Sequence, residues 1–236
     1  MSTLTAKQQE IAMRESKILD VARPIVVQEG YHSLNMDRIA SELGLSKGTV
    51  YNHFSCKEEI VIALAAETST KRVEMFRKAA QFKGCSRYRM LAIGTAAELF
   101  VRESPEHFLF EQLVRIDSIW EKTSEQRRAV INNCETSCTA IAAGIVRDAV
   151  ANNEIELPDE MSPENLIFGL WSLTSGGYSI LLTSDRLEAM GMDEPYEMIR
   201  RHVNTMLDGY NWSPHSSEFD RDAVIEQIEQ EVFANG

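Results

Sequence analysis

Helix-breaking residues are scarce in this chain. Its 236 residues include 12 glycines and 6 prolines, and long stretches hold neither. That scarcity favours a mostly helical protein, and no strand-like alternation of useful length appears. Cysteine is scarcer still. Cys56, Cys85, Cys134 and Cys138 are too few and too scattered for a disulfide scaffold, and their spacing matches no zinc site. The first residues, MSTLTAKQQEIAMRESK, are polar and lack the apolar stretch of an export signal. A reduced cytoplasm is the expected setting. Internal repeats, low-complexity tracts, a nucleophile elbow, a phosphate loop and a dinucleotide fingerprint are all missing. His32, His53, His107, His202 and His215 are spread out, with no His–Glu pairing at a metal-binding helical spacing. The expectation is therefore no enzyme, no metal and no cofactor.

Positive charge is also short, and the net charge is −12. The average conceals an asymmetry. Residues 1–57 carry seven Lys/Arg against six Asp/Glu, and the remainder carries 17 against 30. A near-neutral head thus precedes an acidic body. DNA binding needs cations facing phosphates locally, not a basic protein throughout. Asn165 to Ser184 is a run of 20 residues without a charge, about the length of a membrane span. Its serines, threonines and glycines make it too polar for an isolated span, so a buried helix is expected and no membrane.

What is present is helical periodicity. Ile18, Val21, Ala22, Ile25 and Val26 form an apolar stripe, closed by Gly30. Pro24 lies inside that pattern and should kink the helix or demand compensation. A second helix is predicted from Met36 to Leu43, capped by Asn35. Gly44 breaks it, and Ser46 caps a third helix from Lys47 to near Phe54. A long fourth helix runs from Lys57 to about Phe82. Further helices are predicted near 86–103, 105–120, 124–152, 162–184, 194–209 and 218–233, with Ser104-Pro105 opening the second of these. The fold class expected is all-α: a three-helix head at 11–57, and a helical body over 58–236 entered through the long fourth helix.

The stretch from Met36 to Phe54 reads as two short helices joined tightly at Gly44-Leu45-Ser46. Ala40 is small where the helices come closest. Leu45, Val50 and Phe54 can pack inward, leaving Lys47, Gly48, Thr49, Asn52 and His53 outside. That face offers a cation, a hydroxyl, an amide and an imidazole. The start of the third helix adds free backbone N–H groups that favour a phosphate. A recognition helix enters the major groove in this way. A plain structural hairpin with a central glycine is the alternative.

The run Ile39-Ala40-x-x-Leu43-Gly44-Leu45-Ser46-Lys47-Gly48-Thr49-Val50-Tyr51-x-His53-Phe54-x-x-Lys57-Glu58-Glu59 resembles the signature of the tetracycline-repressor (TetR) family. The resemblance covers about residues 14–64. It implies that Tyr51 and Lys57 contact the DNA backbone, and that Lys47, Thr49, Asn52 and His53 share phosphate and base contacts. With the caps Asn35 and Ser46 and the turn residue Gly48, these form the expected DNA site. Three features depart from the family habit: Asn35 where Thr is common, Pro24 in the first helix, and Cys56 where a small polar cap is common.

The same resemblance implies a homodimer formed through about 162–184 and 194–209, with Gly176 and Gly177 permitting close approach. An intramolecular core helix is the alternative. Two-fold symmetry then implies a pseudo-palindromic DNA operator with half-sites about 34–36 Å apart or a multiple. It also implies a small-molecule effector. Phe108, Phe110, Leu113, Trp120, Trp171 and Tyr178 could line an apolar pocket for an apolar or aromatic compound, or could simply be core. Cys134 and Cys138 lie one turn apart, and Cys56 beside Lys57 could have a lowered pKa, which would suit redox sensing; buried or inert thiols are the favoured alternative. In 218–233, Phe219, Ile225, Ile228 and Val232 form a stripe that should pack on the body or a partner. The function expected is a homodimeric, ligand-responsive repressor. An all-helical enzyme or small-molecule carrier with a vestigial head is the competing reading.

Overall fold

A computed structural model describes residues 5–103 and 105–234. Among these the chain forms eleven α-helices and no strands. The packing divides into two compact units. One runs to Thr70 and takes in Glu106–Asn133; the other comprises Lys71–Pro105 and the chain from Cys134 on. These packing units do not follow a division at 57/58, because residues beyond 105 return to pack with the head.

In the first unit, α1 (Ala6–Pro24) opens with a reciprocal cap between Thr5 and Gln8. Its buried stripe is Ile18, Leu19 and Ala22. Pro24 does not snap the helix. Its missing N–H ends the α-helical ladder, and the chain continues through one wider π turn, Ile25–Glu29. Gly30, at φ +85°, then reverses the chain in a conformation other residues rarely adopt. α2 (Met36–Glu42) is capped by Asn35, whose Oδ1 accepts from the Asp37 N–H. Gly44, at φ +63°, makes the turn, and α3 (Lys47–His53) begins under the Ser46 cap. α4 (Lys57–Ala79) starts in this unit and continues into the second.

The helix expected over 105–120 is two helices. α6 spans Pro105–Leu113 and α7 spans Asp117–Trp120. Ser104 lies outside the described residues. Between them Arg115 and Ile116 make tight three-residue turns back to Gln112 and Leu113, and Ile116 then extends before α7. α8 (Glu125–Ala151) also begins in this unit. One core joins Ile18, Ala22, Ile39, Val50, Phe54, Ile60 and Leu64 to Phe110, Ile119 and Ile131.

The second unit contains α5 (Ser86–Glu103), α9 (Pro163–Thr183), α10 (Pro195–Gly209), α11 (Arg221–Ile228) and the later parts of α4 and α8. α4 ends at Ala79 rather than Phe82, because Gln81 and Phe82 tighten into three-residue turns. α11 starts at Arg221 because Asp220 caps it, accepting from Asp222 and Ala223. A π turn, Glu229–Phe233, completes that segment. Ile225 and Ile228 are buried, and Phe219 stacks edge-on against Tyr88 at 5.1 Å. Arg87 is fully buried yet satisfied, donating to Asp208, to Asn204 and to the Trp212 carbonyl. Arg200 grips Glu98 through two hydrogen bonds of 2.7 and 2.6 Å.

α9 is long and apolar enough to cross a membrane by length and composition, and only 22% of its most apolar window is buried. Gly177 does allow close approach, but to α10 of the same chain: a Cβ there would fall 2.7 Å from Ile199 Cδ1. Gly169 does the same beneath Met206, whereas Gly176 faces open space.

Candidate nucleic-acid interface

The head is assembled so that α3 is anchored on one side and open on the other. Val50 and Phe54 are fully buried, and Leu45 packs at the edge of the same core. Lys47, Gly48, Tyr51 and Asn52 are exposed, and Thr49 is half-buried. Two of the expected residues serve as caps. Ser46 Oγ accepts from the Thr49 N–H at 3.1 Å and lies 2.8 Å from the Thr49 hydroxyl. Asn35 is committed to Asp37 at the start of α2. Lys47 is paired with Asp37, although its side chain keeps 67% of its surface exposed. This exposed pair is weak enough to yield to a phosphate.

His53 departs from the outward position read from the sequence. Its side chain is only 10% exposed, with Nδ1 3.7 Å from Glu15 on α1. The last turn of α3 rotates it toward α1. Lys57 is half-buried: its ammonium lies 4.2 Å from the centre of the Tyr31 ring and 3.5 Å from the Tyr31 carbonyl.

Sequence reasoning missed the groups beneath these residues. Glu58 and Glu59, on the first turn of α4, are both about 5% exposed. Glu58 accepts from the Tyr31 hydroxyl at 2.8 Å and from Lys122 at 3.0 Å. Burial opposes its ionisation, but the hydrogen bonds from Lys122 and Tyr31 outweigh that and bring its carboxyl down to about 2. Burial, followed by the bond to Glu58, pushes the Tyr31 phenol up. Glu59 accepts from Arg127 at 2.7 Å and from the Ser124 N–H. The Glu58-Glu59 pair following Lys57 could have flagged a charged anchor, since acids suit a helix start. Nothing local points to residues 122–127.

Burial and the neighbouring Glu58 carboxylate raise the Cys56 thiol, despite Lys57 next to it. Cys134 and Cys138 are buried beside Val73. No cluster able to hold a metal occurs among the described residues.

Of the six residues suggested for an effector pocket, Phe108, Phe110, Leu113 and Trp120 belong to the first unit and Trp171 and Tyr178 to the second. Phe110 is in the core of the first unit, with Leu113 and Trp120 packed against it. Phe108 is buried and Trp171 is 42% exposed. Tyr178 lines a small cavity of about 40 Å³ in the second unit, among Thr95, Glu98, Arg200 and Ile225. That space suits a few waters rather than an organic ligand. A larger open groove, about 890 Å³, runs along Val150, Ile155, Leu157 and Met161.

The family model of bacterial regulatory proteins of the tetR family matches residues 18–64. The transcriptional repressor AcnR of Corynebacterium diphtheriae is 35% identical over 66 residues, which cover 28% of this chain and 35% of that protein. This alignment thus spans about a third of that repressor's length. The transcriptional regulator UidR of Escherichia coli K12 is 27% identical over 154 residues, 64% of this chain and 74% of UidR. A solved tetR-family regulatory protein from Rhodococcus RHA1 shares the fold, with a TM-score of 0.64 at 19% identity over 84% of this chain and 97% of that one. Residues 18–64 thus match the helix-turn-helix head of tetR-family regulatory proteins, and the chain as a whole shares the fold of a solved member of that family.

Proposed function

We propose that the protein is a homodimeric repressor working in the cytoplasm, released from a pseudo-palindromic operator by a small apolar or aromatic effector. The observation that carries this reading is α3 itself, with Val50 and Phe54 fully buried and Lys47, Gly48, Tyr51 and Asn52 exposed. Lys47, Tyr51 and Asn52, with Thr49, would meet phosphates and base edges in the major groove. Lys57 would hold the backbone from the start of α4, and Asn35, Ser46 and Gly48 would shape the approach. His53, turned toward Glu15, would contribute by fixing the end of α3. In this reading 11–57 is the reading domain and 58–236 the sensing and dimerising one.

The dimer is supported by the outer face of α9. Phe168 and Trp171 are 63% and 42% exposed and stand edge to face 6.4 Å apart, an apolar patch that a second copy would cover by two-fold pairing with help from α10. An effector in the body would shift α4 and change the spacing of the two heads, so effector and DNA would oppose each other reciprocally.

A gel shift with the DNA upstream of the protein's own gene tests the reading. Binding that weakens steeply with salt is expected. Absence of binding to any sequence in a genomic selection contradicts it, and operator affinity indifferent to saturating candidate ligands contradicts the effector.

A further inference from the structure

The recognition helix is gripped from outside the helix-turn-helix. Arg127, in the first turn of α8, directs its guanidinium at four parts of the head. Its Nε lies 2.7 Å from Glu59 Oε2 on α4. Its Nη2 lies 3.4 Å from Glu15 Oε1 on α1 and 3.4 Å from the His53 carbonyl, the last residue of α3. Its Cζ stands 4.5 Å from the centre of the Phe54 ring. The side chain is 24% exposed. A planar fork that also stacks on an aromatic face suits this constellation, and a lysine would not reproduce it. The cation also faces the negative end of the α3 dipole. Beside it Lys122 holds Glu58, which holds Tyr31 beneath Lys57.

Two of the four contacts fall at the end of α3, on His53 and its cap Phe54, and the other two on α4 and α1. Val50 and Phe54 pack the hairpin from within, and these contacts tie its end to α1 and α4. They set where α3 ends relative to α1 and α4. We infer that Arg127 is a positioning residue for DNA reading, fixing the angle at which α3 meets the base edges. Base discrimination then depends on a side chain 74 positions beyond His53. This rests on the proposed reading of α3 as the recognition helix.

The test uses the full-length protein. Random duplexes are selected with the unmodified chain, which settles separately whether it reads sequence at all. The recovered duplex and a scrambled version are then titrated with Arg127→Gln, after counting the DNA-competent fraction by stoichiometric titration. Expected is a fall of about tenfold or more in the ratio of selected to scrambled affinity, on the order of one base pair's discrimination. Glu59→Gln is expected to reproduce much of that fall, and the double variant to add little to it. A simple stabilising role would lower the competent fraction and leave the ratio intact, which would overturn the inference. Equal weakening on both duplexes would mark Arg127 as a phosphate contact and also overturn it. Should Arg127→Gln fail to fold, Arg127→Lys carries the same comparison, since it keeps the charge and lacks the fork.

Discussion

The Lys57 ammonium lies 4.2 Å from the centre of the Tyr31 ring. Tyr31 in turn donates its hydroxyl to Glu58, one residue along from Lys57. A cation proposed to grip DNA is thus held on an aromatic platform whose far end is tied to the same helix. Tyr31→Phe keeps the platform and removes the tie. It should destabilise the protein by about 1–2 kcal/mol, because buried Glu58 loses a donor, while DNA affinity stays close to the parent value. Tyr31→Leu removes both and should also weaken DNA binding several-fold. Denaturant unfolding and titration of the selected duplex read the two effects. Equal DNA affinity for Tyr31→Leu and the parent would remove the platform from the account.

Glu58 gives the head a pH signature. Its folded carboxyl is lowered from 4.5 to about 2. A depressed carboxyl contributes stability that is fully present above its unfolded value and is lost as pH falls through the folded one. The loss should therefore fall between about pH 4.5 and 2. Glu58→Gln should be less stable near neutrality, with a shallower decline across that window. Thermal melts at stepped pH provide the check, and parallel declines in variant and parent would show that Glu58 is not responsible.

The two close-approach glycines of α9 should respond differently to alanine. At Gly177 a Cβ meets Ile199 at both Cδ1 and Cγ1, 2.7 and 2.8 Å away, so the branched side chain and α10 must give. Gly177→Ala should cost about 1–2 kcal/mol, the overpacking strain outweighing helix propensity. At Gly169 the obstacle is the end of a flexible methionine, Met206 Cε. Gly169→Ala should be near neutral. If the two variants melt alike, the described packing of α9 on α10 is wrong.

Dimerisation makes a separate prediction. Trp171→Glu and Phe168→Glu place a charge on the exposed apolar face of α9. Sedimentation should show monomers at concentrations where the parent is dimeric, with the helical content retained. A parent already monomeric would dismiss the interface.

Much of the head was legible because its signals are local. The caps Asn35 and Ser46, the turn at Gly44 and the inward Val50 and Phe54 follow from residue type and spacing within some twenty positions. The form taken at Pro24 was not legible: a missing N–H announces a disturbance, but not that the chain continues through a π turn with Ile25 and Val26 buried. His53 was misplaced because its orientation depends on Glu15, far along the chain. Glu58, Glu59, Lys122 and Arg127 read in sequence as ordinary surface charges, and only folding brings them together. The six residues suggested for an effector pocket are divided between the two units. Aromatic residues at helical spacing mark burial, and burial alone does not say whether a side chain faces a core or a cavity.

The central claim is that α3 reads a two-fold operator. A binding selection on genomic DNA with the unmodified protein, repeated with Tyr51→Phe, tests it most directly. The expected result is enrichment of one inverted-repeat sequence by the parent, and weaker binding by the variant across all sequences with the same preferred repeat. Recovery of no enriched sequence by the parent, or an unchanged affinity for Tyr51→Phe, would contradict it.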